Sequence, residues 1–557
     1  MKPKVTFLVI GLLSVFLISG YAQEKKEPPT KSKTETKKDE KKLPELKERR
    51  YTIYGKERLD FIDADKSGVS LDIYRGGITG VTPLGLININ DRITSGLKKG
   101  FGIFSLKSEY KNSVNISIGK YKDLVLGVNY GRVRDEDEAR FFGEINRNSG
   151  FIPNSGYFSG DFDINYTRIL NDYSSLNSEL VINKYDYKFY SDALNGLDRK
   201  LMSLKLHSGL NFYKWERTKL YLNGVLSYFT GEDDKNLREV KAAGSISFNS
   251  VYSGFSLNGN LSYVFNSHDL ENFNNELIDG TLNYNFINGH ITGRKKFSDY
   301  IDVFAGIKYY FAEDFEKTEK IYPTFGFNLD LDNDLTILTH FDPVVRFVSA
   351  EELLGENRFL SFSTLPYYEF VKFKLTSGFR KKFIGKISAG AYLSFKEIEN
   401  FGVYVLDNYY QKFTKNKGIN FKLQTVSFDL AYDHNEYLSM MVAGEINNPG
   451  SIKNLEAGDN IPYYPLYNAG FNVEFAVPEI TTSFLLNGNF TSKRFYYDPD
   501  KQELDSYFLL DLKIYKKLMK NSQVYLNFSN LLNAEFESWN GFREPDFMMS
   551  GGFKILW

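Results

Sequence analysis

Few side chains in this sequence sit at spacings that could do chemistry. Asp63-Ala64-Asp65-Lys66-Ser67-Gly68 opens like a calcium loop, where alternating carboxylates and a glycine turn wrap a hard cation. The position that should supply the bidentate glutamate is Tyr74, so the segment reads as a turn. Asp330, Asp332 and Asp334 alternate across a tight turn and read as turn formers. His207, His268, His290, His340 and His434 are scattered without ligand spacing, and no metal is expected. Ser267 and His268 are residue types of a hydrolytic triad, but adjacency is not a triad and no oxyanion element accompanies them. There is no cysteine, which removes thiolate nucleophiles, disulfide frameworks and a lipid-anchor cysteine. No enzyme activity and no cofactor is expected.

What the chain does carry is aromatic surface: 48 Phe and 39 Tyr but only 3 Trp in 557 residues. Many rings fall at strand ends and in loops, as in Tyr409-Tyr410, Tyr463-Tyr464, Phe495-Tyr496-Tyr497 and Trp539. Rings at the headgroup level of a membrane explain most of them. Tyr409, Tyr463, Tyr497 and Trp539 lie in the longest loops and are candidate ligand contacts, since rigid aromatic side chains supply contact area at low entropy cost. Charge is balanced, 69 basic against 70 acidic residues, so nothing calls for nucleic acid as a partner.

The elements that must position these residues are strands. Phe508, Leu510, Leu512 and Ile514 alternate with polar neighbours; so do Val524, Leu526 and Phe528, and Phe471, Val473, Phe475 and Val477. Beyond the first residues, no apolar run approaches the ~18 needed for a spanning helix. Between Ile419 and Tyr432 the alternation slips phase, Ile419, Phe421 and Leu423 giving way to Val426, Phe428 and Leu430, which predicts a bulge near Thr425.

Lys2 and Lys4 followed by apolar Val5 to Ile18 and Gly20-Tyr21-Ala22 form a secretory signal over 1–22. Residues 23–50 are a Lys/Glu/Thr/Pro tract with little to bury, expected to be a solvated periplasmic tether. At the other end Phe547, Met549, Gly551, Phe553, Ile555 and Trp557 share one strand face. A closing aromatic strand of this kind resembles the signal read by the barrel-assembly machinery, with Phe553, Ile555 and Trp557 as its elements.

Counting hairpins back from Trp557 gives an all-β chain: an antiparallel transmembrane barrel of about 22 strands, with short periplasmic turns and long extracellular loops. Tight turns are expected at Leu170 to Asp172, Lys214 to Arg217, Asp332-Asn333, Arg380 to Lys382, Asp433 to Asn435, Val477 to Glu479 and Lys517 to Asn521. Long loops are expected at Asp135 to Ser155, Asn266 to Ile278, Val348 to Phe362, Asp407 to Lys417, Asn447 to Pro462, Arg494 to Gln502 and Asn533 to Pro545. With Trp557 in the periplasm, every tight turn falls inside and every long loop outside. That parity separates a barrel in outer-membrane lipid from a soluble sandwich. Export and barrel together place the chain in the outer membrane of a Gram-negative-type bacterium, both termini periplasmic.

Local sequence adds a resemblance. Val524 to Asn533, then Trp539-Asn540-Gly541-Phe542-Arg543-Glu544-Pro545 and the last strand, resemble the C-terminal pattern of TonB-dependent receptors. Ala305 to Tyr310 with Pro323 to Phe327 looks like the family's mid-barrel strands, and Arg346 to Leu353 with Asn357 to Leu360 like one of its loops. Glu544-Pro545-Asp546 replaces the usual Pro-Gly-Arg. The resemblance implies uptake of a scarce nutrient, a metal chelate, vitamin or glycan, as an unknown small ligand held by the outer loops. It also implies a TonB-type energy-transducing partner, for which Tyr51, Thr52, Ile53 and Tyr54 are the candidate contact. Residues 51–98 are too few for the family's globular plug and read as a short plug-like or lumen-inserted segment, with the barrel over 99–557. A non-energised porin-like channel, or a scaffold for another envelope protein, stands as the alternative.

Overall fold

In the computed structural model the described residues are 112–557, apart from 135, 191–195, 216–217, 272–279, 299, 314–316, 332–333, 384–385, 407–411, 436, 456–459 and 497–501. The signal, the tether, the 51–98 segment, the Asp63 turn and residues 99–111 lie outside them.

The chain runs up and down a single wall. It begins with β1 (Ser113–Gly119), β2 (Asp123–Val133), β3 (Asp137–Asn148), β4 (Tyr157–Asn171), β5 (Ser174–Lys188) and β6 (Asp198–Trp215). Next come β7 (Thr218–Glu232), β8 (Asn236–Tyr252), β9 (Phe255–Glu271), β10 (Gly280–Lys296), β11 (Ile301–Glu313) and β12 (Lys317–Leu331). Two collinear pieces, β13 (Leu335–Phe341) and β14 (Val344–Val348), both pair with β15 (Tyr367–Phe383), and a helix, α1 (Ala350–Glu356), lies between β14 and β15. The wall continues through β16 (Ile387–Leu406), β17 (Phe413–Asn435), β18 (Leu438–Lys453), β19 (Tyr467–Val477) and β20 (Thr482–Thr491). A loop hairpin, β21 (Arg494–Phe495) with β22 (Glu503–Leu504), precedes β23 (Tyr507–Met519) and β24 (Ser522–Ser529). A second, β25 (Glu537–Trp539) with β26 (Phe542–Arg543), precedes β27 (Met548–Leu556). With β13 and β14 as one strand, the result is the expected 22-strand antiparallel barrel. It closes where β27 meets β1, Leu556 opposite Ser113 and Phe553 opposite Ile116. Closure pairs the first strand with the last, and the longer stretches left with a neighbour on one side only lie toward the loop end.

Period-two patterning decides the faces. Val114, Ile116 and Ile118 of β1 are exposed, and their counterparts Leu124, Leu126 and Val128 on β2 likewise. Asn115 and Ser117 point the other way. An outer surface this apolar is the reverse of a soluble protein and suits lipid. The strands return through short connections at the Trp557 end, as from Asn171 to Ser174 and from Met519 to Ser522, whereas the longest loops gather at the other end. The tight turns expected from sequence therefore gather at the Trp557 end, but the loop end also has short connections, from Gly119 to Asp123 and from Glu232 to Asn236.

Three details differ. Asp135 to Ser155 is not one loop: Asp137–Asn148 forms β3, paired along β2 and β4. Its Glu138, Arg140 and Glu144 discourage a strand reading, yet they occupy the inner face, where charge is tolerated. The turns expected at Arg380 to Lys382 and Asp433 to Asn435 fall later, since β15 runs to Phe383 and β17 to Asn435. And no bulge interrupts β17 at Thr425, for the pairing with β16 and β18 is continuous there. Ile419, Phe421 and Leu423 face inward and are buried, while Val426, Phe428 and Leu430 face outward and are exposed. The backbone keeps its phase; what changes is which side of the wall is apolar.

Candidate functional site

That change of apolar side marks the functional region. Strands β16 and β17 have 20 and 23 residues, about twice the 9–11 a tilted strand needs to cross a bilayer. Their loop-side ends stand clear of the apolar belt, and buried side chains pack in the space they enclose.

The filling is built on the segment between β14 and β15. Ser349 caps α1, its Oγ accepting from Glu352 N at 3.3 Å, and Ala350, Leu353 and Leu354 are buried. The helix lies inside the wall, because what holds it belongs to the inner face. Ser203 Oγ donates to Glu351 Oε1 at 2.6 Å, Lys205 Nζ approaches the same oxygen at 2.9 Å, and Glu351 N donates to Glu239 Oε2 at 2.9 Å. The chain neighbours Met202 and Val240 are exposed on the outer face. At the other end of α1, Glu356 Oε2 accepts from Tyr404 OH at 2.5 Å and from Lys415 Nζ at 3.1 Å, and Arg346 Nη2 lies 2.8 Å from Glu352. Glu351 and Glu356 are thus tied to different parts of the wall, and Glu352 to Arg346 of β14.

Around this lobe the loops pack into one apolar core. Phe359 stacks on Phe542 with centroids 3.6 Å apart, and Tyr190 meets both rings edge-on. Trp539 touches Tyr404, Phe413 and Tyr463 at 4.8, 5.3 and 4.9 Å. Leu360, Phe362, Ile461 and Leu504 complete it. Gly231 of β7 makes room: a Cβ there would sit 2.5 Å from the Phe362 ring.

A buried ion cluster ties the lobe to the rim. Arg199, with no exposed side-chain surface, donates through Nε to Asp233 Oδ2 at 3.0 Å and through Nη1 to the carbonyl oxygens of Arg358 and Leu360 at 2.9 and 2.6 Å. Lys412 Nζ reaches Asp233 at 3.1 Å and also pairs with Asp234. The guanidinium lies between the rings of Phe189 and Phe362. Burial pushes the Asp233 carboxyl up, but Arg199 and Lys412 overcome it and hold it down to about 2. Burial pushes the Tyr190 hydroxyl up to about 12. Charges this dry persist only when fully paired, so the cluster acts as a latch.

Of the residues singled out by sequence, Tyr463 and Trp539 come together, both buried in this core. Tyr409, Tyr497 and Tyr51 to Tyr54 lie outside the described residues. Ile555 and Trp557 are exposed on the outer face and Phe553 pairs between Ile116 and Val524. Ser267 and His268 point to opposite faces of β9, His268 being buried on the inner one. Arg199, Asp233, Lys412 and the carboxylates of α1 carry no spacing signal in the sequence. Only the excess length of β16 and β17 hints at a packed region above the membrane.

No family model and no curated protein matches the sequence. Solved structures match the fold. The FrpB iron transporter from Neisseria meningitidis (F3-3 variant) superposes with a TM-score of 0.66 at 10% identity, over 84% of this chain and 83% of that one. The ferric-catecholate import receptor Fiu from K12 E. coli, in a closed form, gives 0.64 at 9% identity over 81% and 82%. The ferric yersiniabactin uptake receptor FyuA from Yersinia pestis gives 0.62 at 10% identity over 80% of each. At such identities the likeness is one of fold: this chain shares the barrel architecture of these structures.

Proposed function

We propose that the protein is an outer-membrane transporter of the TonB-dependent receptor kind, which takes up a scarce small solute such as a metal chelate, vitamin or glycan and catalyses no reaction. The observation that carries this reading is the densely packed loop end. A diffusion channel needs a standing aqueous path, whereas a receptor needs a closed mouth that yields to its ligand. Among the described residues, α1, the aromatic core and the Arg199–Asp233–Lys412 latch pack side chains across the loop end, which supports a closed mouth.

In this reading the loop end faces outward and the Trp557 end the periplasm, as the long loops and short turns support. Residues 51–98 occupy the lumen, and an energy-transducing protein engages Tyr51 to Tyr54 to release the solute inward. Phe553, Ile555 and Trp557 serve barrel assembly, and lipid surrounds the apolar belt. Tyr463 and Trp539 contact ligand only after the core opens, since their surface is spent on each other in the closed form.

Growth on a limiting nutrient tests the reading. Cells carrying a chain deleted for Tyr51 to Tyr54 should insert a normal barrel yet lose uptake of whichever solute the intact protein supports. Undiminished uptake by the deleted chain sinks energised transport and favours the porin-like or scaffold reading.

A further inference from the structure

Among the described residues, several strand stretches near the loop end have a neighbour on one side only, and the longest of them belongs to β12. β11 pairs with β12 along its whole length, to Lys317, but β13 pairs with β12 only from Leu331 to Phe325. Above that rung, Lys317 to Thr324 have a strand neighbour on one side alone. The segment that should continue the pairing, β14, has left the wall: Val345 is buried against Val264, Tyr284, Phe286, Tyr310 and Ala312, on the inner faces of β9, β10 and β11. Ile321, which it would cover, is 69% exposed. An open strand edge facing lipid is costly, so this arrangement stores a strong tendency to re-pair.

The sequence is arranged for both states. Extending the register beyond Phe325↔Phe341 sets Thr324 opposite Asp342, Pro323 opposite Pro343, Tyr322 opposite Val344, Ile321 opposite Val345 and Lys320 opposite Arg346. The face rule then holds without adjustment: Val345 joins Ile321 on the lipid side and Arg346 turns to the lumen. Two features keep the seam open. Prolines share one rung, where neither can donate to the other strand. Lys320 and Arg346 would meet as like charges directly across the pair. In the closed form Arg346 has Glu352 and Glu356 instead. The fold also supplies a hinge, because Asp342 and Pro343 face Lys372, Phe373 and Lys374 of β15, so the ribbon carries a bulge at its bend.

We propose that β14 is a movable strand, folded inward to close the mouth and zipped along β12 to open it, carrying the attached lobe with it. The inference rests on reading the lobe as the closure of the mouth, but its test needs neither ligand nor uptake. The chain has no cysteine, so Ile321→Cys with Val345→Cys introduces a single thiol pair, which comes within disulfide reach only when zipped. Oxidation of the membrane-embedded double variant should cross-link it, and adding Lys320→Glu, which gives Arg346 a partner in the zipped state, should raise the rate several-fold. The off-register pair Glu319→Cys with Val345→Cys should cross-link far more slowly. Two thiols that stay free in the Ile321/Val345 variant, or equal rates for both pairs, overturn the proposal. Should the cysteine variants fail to fold, Lys320→Glu alone decides by hydrogen exchange: amides of 317–322 should exchange more slowly than in the parent, and an unchanged rate refutes the movement.

Discussion

The rings of Tyr463 and Trp539 meet at a centroid distance of 4.9 Å and an interplanar angle of 45°, although they come from different loops. Their contact joins the loop after β18 to the hairpin before β27, so the mouth is closed by loops binding one another as well as by the inserted lobe. Trp539→Ala removes the largest fully buried side chain of this core. Such truncations cost about 3–5 kcal/mol where the site cannot collapse. Because the loss falls on the loops, the wall should stay intact: heat-modified migration on gels unchanged, with faster proteolysis within 454–466 and 530–547. Unchanged proteolysis would mean the loops do not depend on one another.

The latch should be sensitive to acid in a defined window. Asp233 is held at about 2, below the ordinary carboxylate value of about 3.9. A depressed carboxyl gives its stabilisation fully above the unfolded value and loses it as pH falls through the folded one. The part of the protease protection of 349–366 that Asp233 supplies should therefore stay constant from neutrality to about pH 4 and be lost as pH approaches 2, separate from the changes that the raised carboxyls of Glu239 and Glu352 bring at higher pH. Asp233→Asn, which leaves the buried Arg199 without its carboxylate and Lys412 with Asp234 alone, should cost about 3–5 kcal/mol and abolish that step. A variant with the parent's acid profile would exclude Asp233 as its origin.

Adjacent residues of β2 test which face meets lipid. Val128 is exposed on the outer face and Asn129 points inward. A lysine on the lipid face costs about 2–4 kcal/mol near the midplane and less toward the interfaces. Val128→Lys should fold into lipid vesicles in reduced yield, and Asn129→Lys as well as the parent. The opposite order would invert the assignment of faces.

Much of the wall is legible in the sequence because its chemistry repeats: alternation, turn residues and a closing aromatic strand give strand number and parity. The inner face is harder to read. β3 is obscured by Glu138, Arg140 and Glu144, since propensity disfavours charge in strands while a polar interior accepts it. The phase slip in β17 is real but means a change of environment, as Leu423 and Val426 lie on opposite faces of a regular strand. The latch is not legible at all, because Arg199 and Asp233 approach through the β6–β7 pairing and Lys412 arrives from across the mouth. Tyr463 and Trp539 draw notice as aromatic loop residues, but sequence cannot tell a ring offered to a ligand from one buried against its neighbour.

Ion conductance of the purified full-length protein in planar bilayers bears most directly on the sealed mouth. The barrel should insert without a standing pore and begin to conduct when the latch is broken by Asp233→Asn together with Trp539→Ala. Large, stable pores in the unmodified protein would contradict a closed receptor and leave an open channel in its place.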